Sequence, residues 1–473
     1  MNLARSSLKL FAANVTSAGV QFLGITLFAR ELGASQMGVF FLFQALLGML
    51  AVPADFGIRG AVEKRISEGE ARGVFLSSAL ALKSAPLVVI VGGILLLGPF
   101  INDYVGAEVA VLLAGAIILQ ELAQLSVVVL KGELRVGETA VLRVAQQVTW
   151  VGGGLLLIRY GLRAEAMIYS LLAGLGVMMA WGWYKSSVSL GRPSVERARS
   201  LFDYSKYNVV SSVGGYFYSW MDVAIIGLFL TQADVGAYEV AWRVAAVTIL
   251  FSRAISATMF PQISAWDSSG VQENIERVLP KLITPSLLLV IPAFFGTLLY
   301  SNEILGFVFG GEYTIAAIPL MILMLDKITE AVQVVFGRAL QAVNRPDLAA
   351  RATTVGVLLN LVLNFLLIRQ FGLIGAAVAT TVASLVGGVV LHGYYLSQII
   401  ELRVPYNEIA SSVVAAVAML VVLLLLNQEI LAVNRLSDLM ISITSGAIVY
   451  ALFVVLAPPL QPLIKGHYRN LIS

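Results

Sequence analysis

The charged residues of this chain are confined to short segments, and between them run apolar windows of about 20 residues, the length a helix needs to cross a hydrocarbon core of ~30 Å. Fourteen such windows occur, at 8–29, 37–58, 74–98, 107–130, 140–158, 164–184, 204–230, 236–258, 279–300, 314–340, 351–369, 373–396, 408–427 and 438–460. Only 12% of the residues are charged, 59% are hydrophobic and the mean hydropathy is +0.88, whereas soluble domains carry about 25% charged residues. The expected fold is therefore all-α and polytopic in a membrane.

Several chemistries are excluded at once. The chain has no cysteine, which removes disulfides, thiolate catalysis and cysteine-ligated metals. Two histidines, His392 and His467, do not make a histidine-rich metal site. No G-x-x-x-x-G-K loop is present, so ATP is not the expected energy source. Neither a cofactor nor a nucleic-acid partner is expected. The N-terminus lacks the small-residue cleavage site of a signal peptide and reads as mature.

The positive-inside rule orients the spans. With a cytoplasmic N-terminus, the segments on that side hold 22 of the 31 Lys and Arg against five in the opposite loops. Both ends are then cytoplasmic, and a cell-membrane location follows. The outer loops, 101–106, 231–235 and 301–313, are short, which disfavours an integral-membrane enzyme carrying catalytic groups in large outer loops.

The chain also repeats itself. Residues Leu155 to Leu162 return as Phe365 to Leu373, about 210 residues later. Arg143 answers to Arg351, Tyr184 to Tyr395 and Pro193 to Pro405, and Leu32 to Gly38 weakly matches Leu230 to Gly236. Six spans separate equivalent points, so both copies face the same way, as in a parallel repeat about the membrane normal. The expected organisation is a six-helix lobe at 1–190, a basic cytoplasmic linker at 191–203, a second lobe at 204–400, and two appended helices with a tail at 401–473. A central cleft is expected between the lobes.

Ionisable and amide side chains at membrane depth are costly and mark a cavity or a function. The first helix carries Asn14, Ser17, Gln21 and Gly24, and the second carries Gln44 and Asp55 on nearly one face. Lys83 lies on the third, and Gln120, Glu121 and Gln124 on the fourth. The seventh shows Asn208, Ser212, Gly215, Ser219 and Asp222, and the eighth Glu239, Arg243 and Arg253. The tenth shows Asp326, Lys327, Glu330, Gln333, Gly337 and Gln341. Asp222 and Arg243 each fall about 10–12 Å below the outer end of their helices at ~1.5 Å per residue, so an ion pair between them is expected. For Asp55, Lys83 and Arg253, an interfacial role weighs as much as transport. Asn360 and Asn364 read as interhelical hydrogen bonds, and His392 as a satisfied bundle residue.

Ala29-Arg30-Glu31-Leu32-Gly33 followed by Met37-Gly38-Val39-Phe40 resembles the first helical hairpin of polysaccharide flippases. Tyr218-Ser219-Trp220-Met221-Asp222, then Val235-Gly236-Ala237-Tyr238-Glu239-Val240-Ala241-Trp242-Arg243, resembles their matching hairpin, and Phe260-Pro261-Gln262-Ile263-Ser264 fits as well. The resemblance, over roughly residues 1–400, is to the multidrug/oligosaccharidyl-lipid/polysaccharide exporter superfamily. It implies two lobes alternating between inward-open and outward-open states, with an isoprenoid-phosphate or isoprenoid-pyrophosphate oligosaccharide as cargo. Arg243, Arg253, Lys83 and Lys327 would meet the phosphate, and Asn14, Gln21, Gln44 and Ser219 the hydroxyls. A proton or Na⁺ gradient, or the membrane potential, would drive the cycle, with Asp222, Asp326, Glu330 and Asp55 as coupling carboxylates. The expected partners are the lipid-linked glycan, membrane lipids and glycan-pathway enzymes, and the expected state is a monomer. The alternative within the superfamily is a cation-coupled multidrug exporter.

Overall fold

The computed structural model describes the backbone of residues 3–429 and 433–461, and the side chains of 16–205, 219–427 and 433–461. The side chains of Arg5, Lys9, Asn14, Lys206, Asn208 and Ser212, and all of His467, lie outside the described residues. The described residues form seventeen α-helices and no strand. That follows from the solvent: in hydrocarbon every backbone polar group must be paired within the segment, and a helix does this alone.

Compact unit 1 spans Met1–Gly236. Its first helix, α1 (Leu3–Asp55), is two spans in one, broken at Gly33, whose φ of 77° suits a residue without Cβ. The amphipathic helix α2 (Ile58–Ser67) follows, burying Ile58, Ala61, Val62 and Ile66. This stretch reads as a basic loop in the sequence because it is too short and too charged to cross. The next elements are α3 (Arg72–Leu96), the short α4 (Gly98–Val105), α5 (Ala110–Gly132), α6 (Val136–Arg159) and α7 (Ala164–Lys185). Helix α8 (Val195–Phe229) starts well before residue 204, because Glu196 in its first turn complements the helix dipole and no proline follows Pro193.

Compact unit 2 spans Ala237–Ser473. Helices α9 (Gln232–Thr248) and α10 (Leu250–Ser268) meet at a bend of 46° and together are long and apolar enough for one span. Pro280 and Pro285 lie in α11 (Gln272–Leu287), which leads into α12 (Val290–Val308). Helix α13 (Ala317–Ala342) precedes α14 (Pro346–Ala383), a double span broken at Gly372. A π-helical segment Ser384–Leu391 runs into α15 (His392–Ser397), and α16 (Tyr406–Glu429) and α17 (Leu436–Leu456) complete the unit.

Among the described residues, nine helices are long and apolar enough to cross a membrane and the α9–α10 pair makes a tenth. Counting both spans of α1 and of α14, and adding α8 and α13, gives about fourteen crossings. Helix α13 escapes a hydropathy count because Asp326, Lys327, Glu330 and Arg338 interrupt it.

The duplication recurs in the turns. The α5–α6 turn places Leu134 at φ 62°, and the α13–α14 turn places Asn344 at φ 57°, about 210 residues on. Arg135 N–H donates to Leu130 O at 2.9 Å, and Arg345 N–H donates to Leu340 O at 2.9 Å. Gly161 (φ 89°) ends the α6 span as Gly372 (φ 58°) ends the first span of α14. A six-helix block used twice repeats its capping chemistry.

Within unit 1 the turn after Leu32 locks against the turn after Leu230. A Cβ on Gly38 would stand 1.7 Å from Gln232 O, and one on Gly236 would stand 2.0 Å from Ala34 O. The two weakly matching segments thus meet through a reciprocal pair of glycines, which is the approach that only a missing side chain allows.

Candidate functional site: a glutamine cavity and two buried charge clusters

Unit 1 contains a cavity of about 240 Å³ whose wall carries the amides of Gln21, Gln44, Gln120, Gln124, Gln146 and Gln147. Arg59, Trp150 and Trp220 complete its polar and aromatic surface. Helices α1, α5 and α6 each supply two of the amides. Trp150 is buried and fixed: its indole N–H donates to Met167 O at 3.2 Å, and its ring stacks on Phe40 at 5.6 Å. Gly48 makes room for Trp220, whose indole nitrogen would lie 3.0 Å from a Cβ there. Among the described residues, none of the six glutamine side chains has a hydrogen-bond partner in the protein.

Beside this cavity lies a buried cluster of two cations and two carboxylates. Lys83 Nζ contacts Asp55 Oδ1 at 2.7 Å and Glu121 Oε2 at 2.5 Å. Arg59 contacts Asp55 at 3.3 Å and also pairs with Glu121. Lys83 and Glu121 are 4% and 3% exposed. An ion at such depth is tolerable only when paired, and here the charges cancel. Lys83 therefore turns into the first unit rather than toward headgroups.

Unit 2 holds a second cluster of the same composition. Lys327 Nζ contacts Asp326 at 2.9 Å and Glu330 at 2.7 Å, and Arg253 contacts Glu330 at 2.7 Å. The Lys327 ammonium also lies over the Trp242 ring at 5.3 Å, a cation–π contact. The Arg253 side chain is 58% exposed while Asp326 and Lys327 are enclosed. Arg243 is held by Glu239, one turn earlier, at 2.8 Å. Ser219 is exposed and Asp222 half-buried on α8.

Asn360 donates to Thr380 at 3.3 Å across the two spans of α14, the bonding expected between helices, whereas Asn364 donates to Asn360 Oδ1 at 3.1 Å within one span. His392 Nδ1 lies 2.6 Å from Gly387 O and is buried, a satisfied bundle residue. Of the sequence candidates, Gln21 and Gln44 meet in the cavity, Asp55 joins Lys83, and Arg253 joins Lys327, Glu330 and Asp326. Arg59, Gln146, Gln147, Trp150 and Trp220 are not among the site candidates that the sequence offers, although Trp220 stands in the flippase-like motif at 218–222. The available signal was the recurrence of glutamine on three apolar helices, legible only once the helices pack.

A duplicated, polar-lined helical bundle is an architecture on which membrane transporters are built. The fold is that of the solved lipid II flippase MurJ in its inward closed conformation, with a TM-score of 0.80 over 98% of this chain and 99% of that one, at 18% identity. The chain belongs to the polysaccharide biosynthesis protein family, which matches residues 27–319, and the lipid II flippase MurJ family matches residues 210–450. It is 58% identical over 472 residues to the probable low-salt glycan biosynthesis flippase Agl15 of Haloferax volcanii, covering 100% of this chain and 99% of that protein. It is 30% identical over 463 residues to the probable flippase AglR of the same organism, covering 96% of each.

Proposed function

We propose that this protein is a flippase that carries an isoprenoid-phosphate- or isoprenoid-pyrophosphate-linked oligosaccharide from the cytoplasmic to the outer leaflet by alternating access. The observation that carries this reading is the 58% identity, over the full length, to a probable glycan biosynthesis flippase. The chemistry agrees with it. A sugar headgroup cannot cross hydrocarbon unaided, and the interior offers it amides and paired ions rather than lipid.

In this reading both termini are cytoplasmic and the protein works as a monomer in the cell membrane, beside glycan-pathway enzymes. Arg243 and Arg253 meet the cargo phosphate, with Asn14 and Ser219 near the hydroxyls. Lys83 and Lys327, each gripped by two carboxylates, serve the charge clusters rather than the cargo directly. An ion gradient or the membrane potential drives the cycle, with Asp55, Asp222, Asp326 and Glu330 as the coupling carboxylates.

The test is a flipping assay in proteoliposomes with a short-chain fluorescent isoprenoid-pyrophosphate oligosaccharide, comparing wild type with Arg243→Ala. Transport by wild type and its loss in the folded variant is the expected result. Failure to move any lipid-linked sugar, together with export of a cationic dye, would place the chain among multidrug exporters.

A further inference from the structure

The unit 1 cavity is unusual in what it offers a ligand. Each glutamine amide has two N–H donors and a carbonyl acceptor, and here six of them line one space of about 240 Å³ with no protein partner among the described residues. The six side chains are half-buried, and polar groups drawn partly out of solvent lose free energy unless something bonds to them. A ligand that satisfies this wall must both donate and accept many hydrogen bonds. Two indoles, of Trp150 and Trp220, also ask for a flat apolar face.

Charge narrows the choice. Among the described residues, Arg59 is the one ionised side chain on the wall, and Asp55 and Glu121 already neutralise it. A phosphate or carboxylate in the cavity would compete with these two carboxylates for Arg59. It would also leave the amide carbonyls unbonded, since an anion accepts and does not donate. A cationic drug would find no carboxylate among the described lining residues. A neutral sugar ring satisfies both demands, with hydroxyls that donate and accept and C–H faces for the indoles.

Helix α6 offers the phosphate a further contact. Arg143, Gln147 and Trp150 recur at spacings of four and three and so share one face of α6. Arg143 lies one turn toward the Arg135 end, the cytoplasmic end by the positive-inside count, and it is exposed. Among the described residues it has neither an acidic nor a hydrogen-bonding partner. Residues four apart on a helix bring their Cβ atoms within about 6 Å, so an anion on Arg143 adjoins a ring held by Gln147.

We propose that the glutamine cavity is a subsite for one uncharged sugar ring of the cargo, and that Arg143, one turn along α6 from Gln147, is a further contact for the adjoining phosphate beyond the arginines already proposed for it. This rests on the flippase reading and adds to it the class of sugar and the side chains that select it. The probes are a short isoprenyl phosphate, its glucosyl ester and its glucuronosyl ester, titrated against detergent-solubilised full-length protein by tryptophan fluorescence.

Wild type is expected to bind the glucosyl ester at least tenfold more tightly than the bare phosphate and than the glucuronosyl ester. Combining Gln44→Met with Gln147→Met, isosteric but without hydrogen bonds, should abolish the glucosyl advantage and leave the bare phosphate unchanged. Arg143→Gln should weaken all three alike. Equal binding of bare and glucosyl phosphate by wild type, preference for the glucuronosyl ester, or an advantage that survives the double substitution would each overturn the proposal. The wild-type comparison decides even if a variant misfolds. Selective glucosyl binding without any flipping in proteoliposomes would keep the subsite and defeat the flippase reading, whereas no binding of any probe would defeat the subsite.

Discussion

At the scale of single residues, the buried ions are the least tolerant positions. Lys83→Met would leave Asp55 and Glu121 sharing Arg59 alone. Breaking a buried pair by removing one partner costs about 3–5 kcal/mol, so the variant should melt markedly earlier in detergent. Adding Glu121→Gln removes the surplus charge and should recover most of the loss. A Lys83→Met protein as stable as wild type would show that water already solvates the cluster. The sequence places Lys83 and Asp55 in the cytoplasmic half of their helices but gives no reason to pair them. Their contact, 28 positions apart in the chain, depends on how the first span pair packs on α3.

At the scale of elements, glycine sets where helices turn and how closely they approach. A Cβ on Gly161 would meet nothing within 4 Å, but its φ is 89°. Gly161→Ala should therefore cost only the backbone strain, about 1–2 kcal/mol, read as a small loss of thermal stability with transport retained. Gly38→Ala meets the opposite situation, with backbone in the way. Overpacking costs ~1–3 kcal/mol and more where backbone must shift, so Gly38→Ala and Gly236→Ala should each destabilise more than Gly161→Ala in a thermal-unfolding series. A reversed order would mean that the two turns are not locked in solution. Most of the helices were legible as apolar windows. Helix α2 was not, because its four buried side chains give an amphipathic pattern too short for a span.

At the scale of the whole molecule, orientation and energy coupling are open to direct measurement. The chain has no cysteine, so single substitutions report sidedness without background. Glu70→Cys and Asp103→Cys, both at exposed positions, should be labelled by a membrane-impermeant maleimide from the cytoplasmic and the outer side respectively. Labelling of both from one side would contradict the positive-inside assignment. For coupling, Asp222→Asn, Asp326→Asn and Glu330→Gln should change the pH or Na⁺ dependence of flipping. Unaltered dependence in all three would exclude these carboxylates as the coupling groups.

The sequence by itself determined the all-α membrane architecture, the duplication and the polar residues that had to be sheltered. Hydropathy over 20 residues and the near-constant offset between copies are properties of the chain read in order. Only the tertiary structure decided which sheltered groups meet. Gln44 and Gln147 lie far apart in sequence, and nothing in either helix alone announces a shared cavity. The same packing decided that Lys83 closes an ion cluster and that Arg143 stays exposed. Hydrogen bonds and ion pairs act over a few ångströms, and in a bundle those distances are fixed by which helix faces turn toward each other.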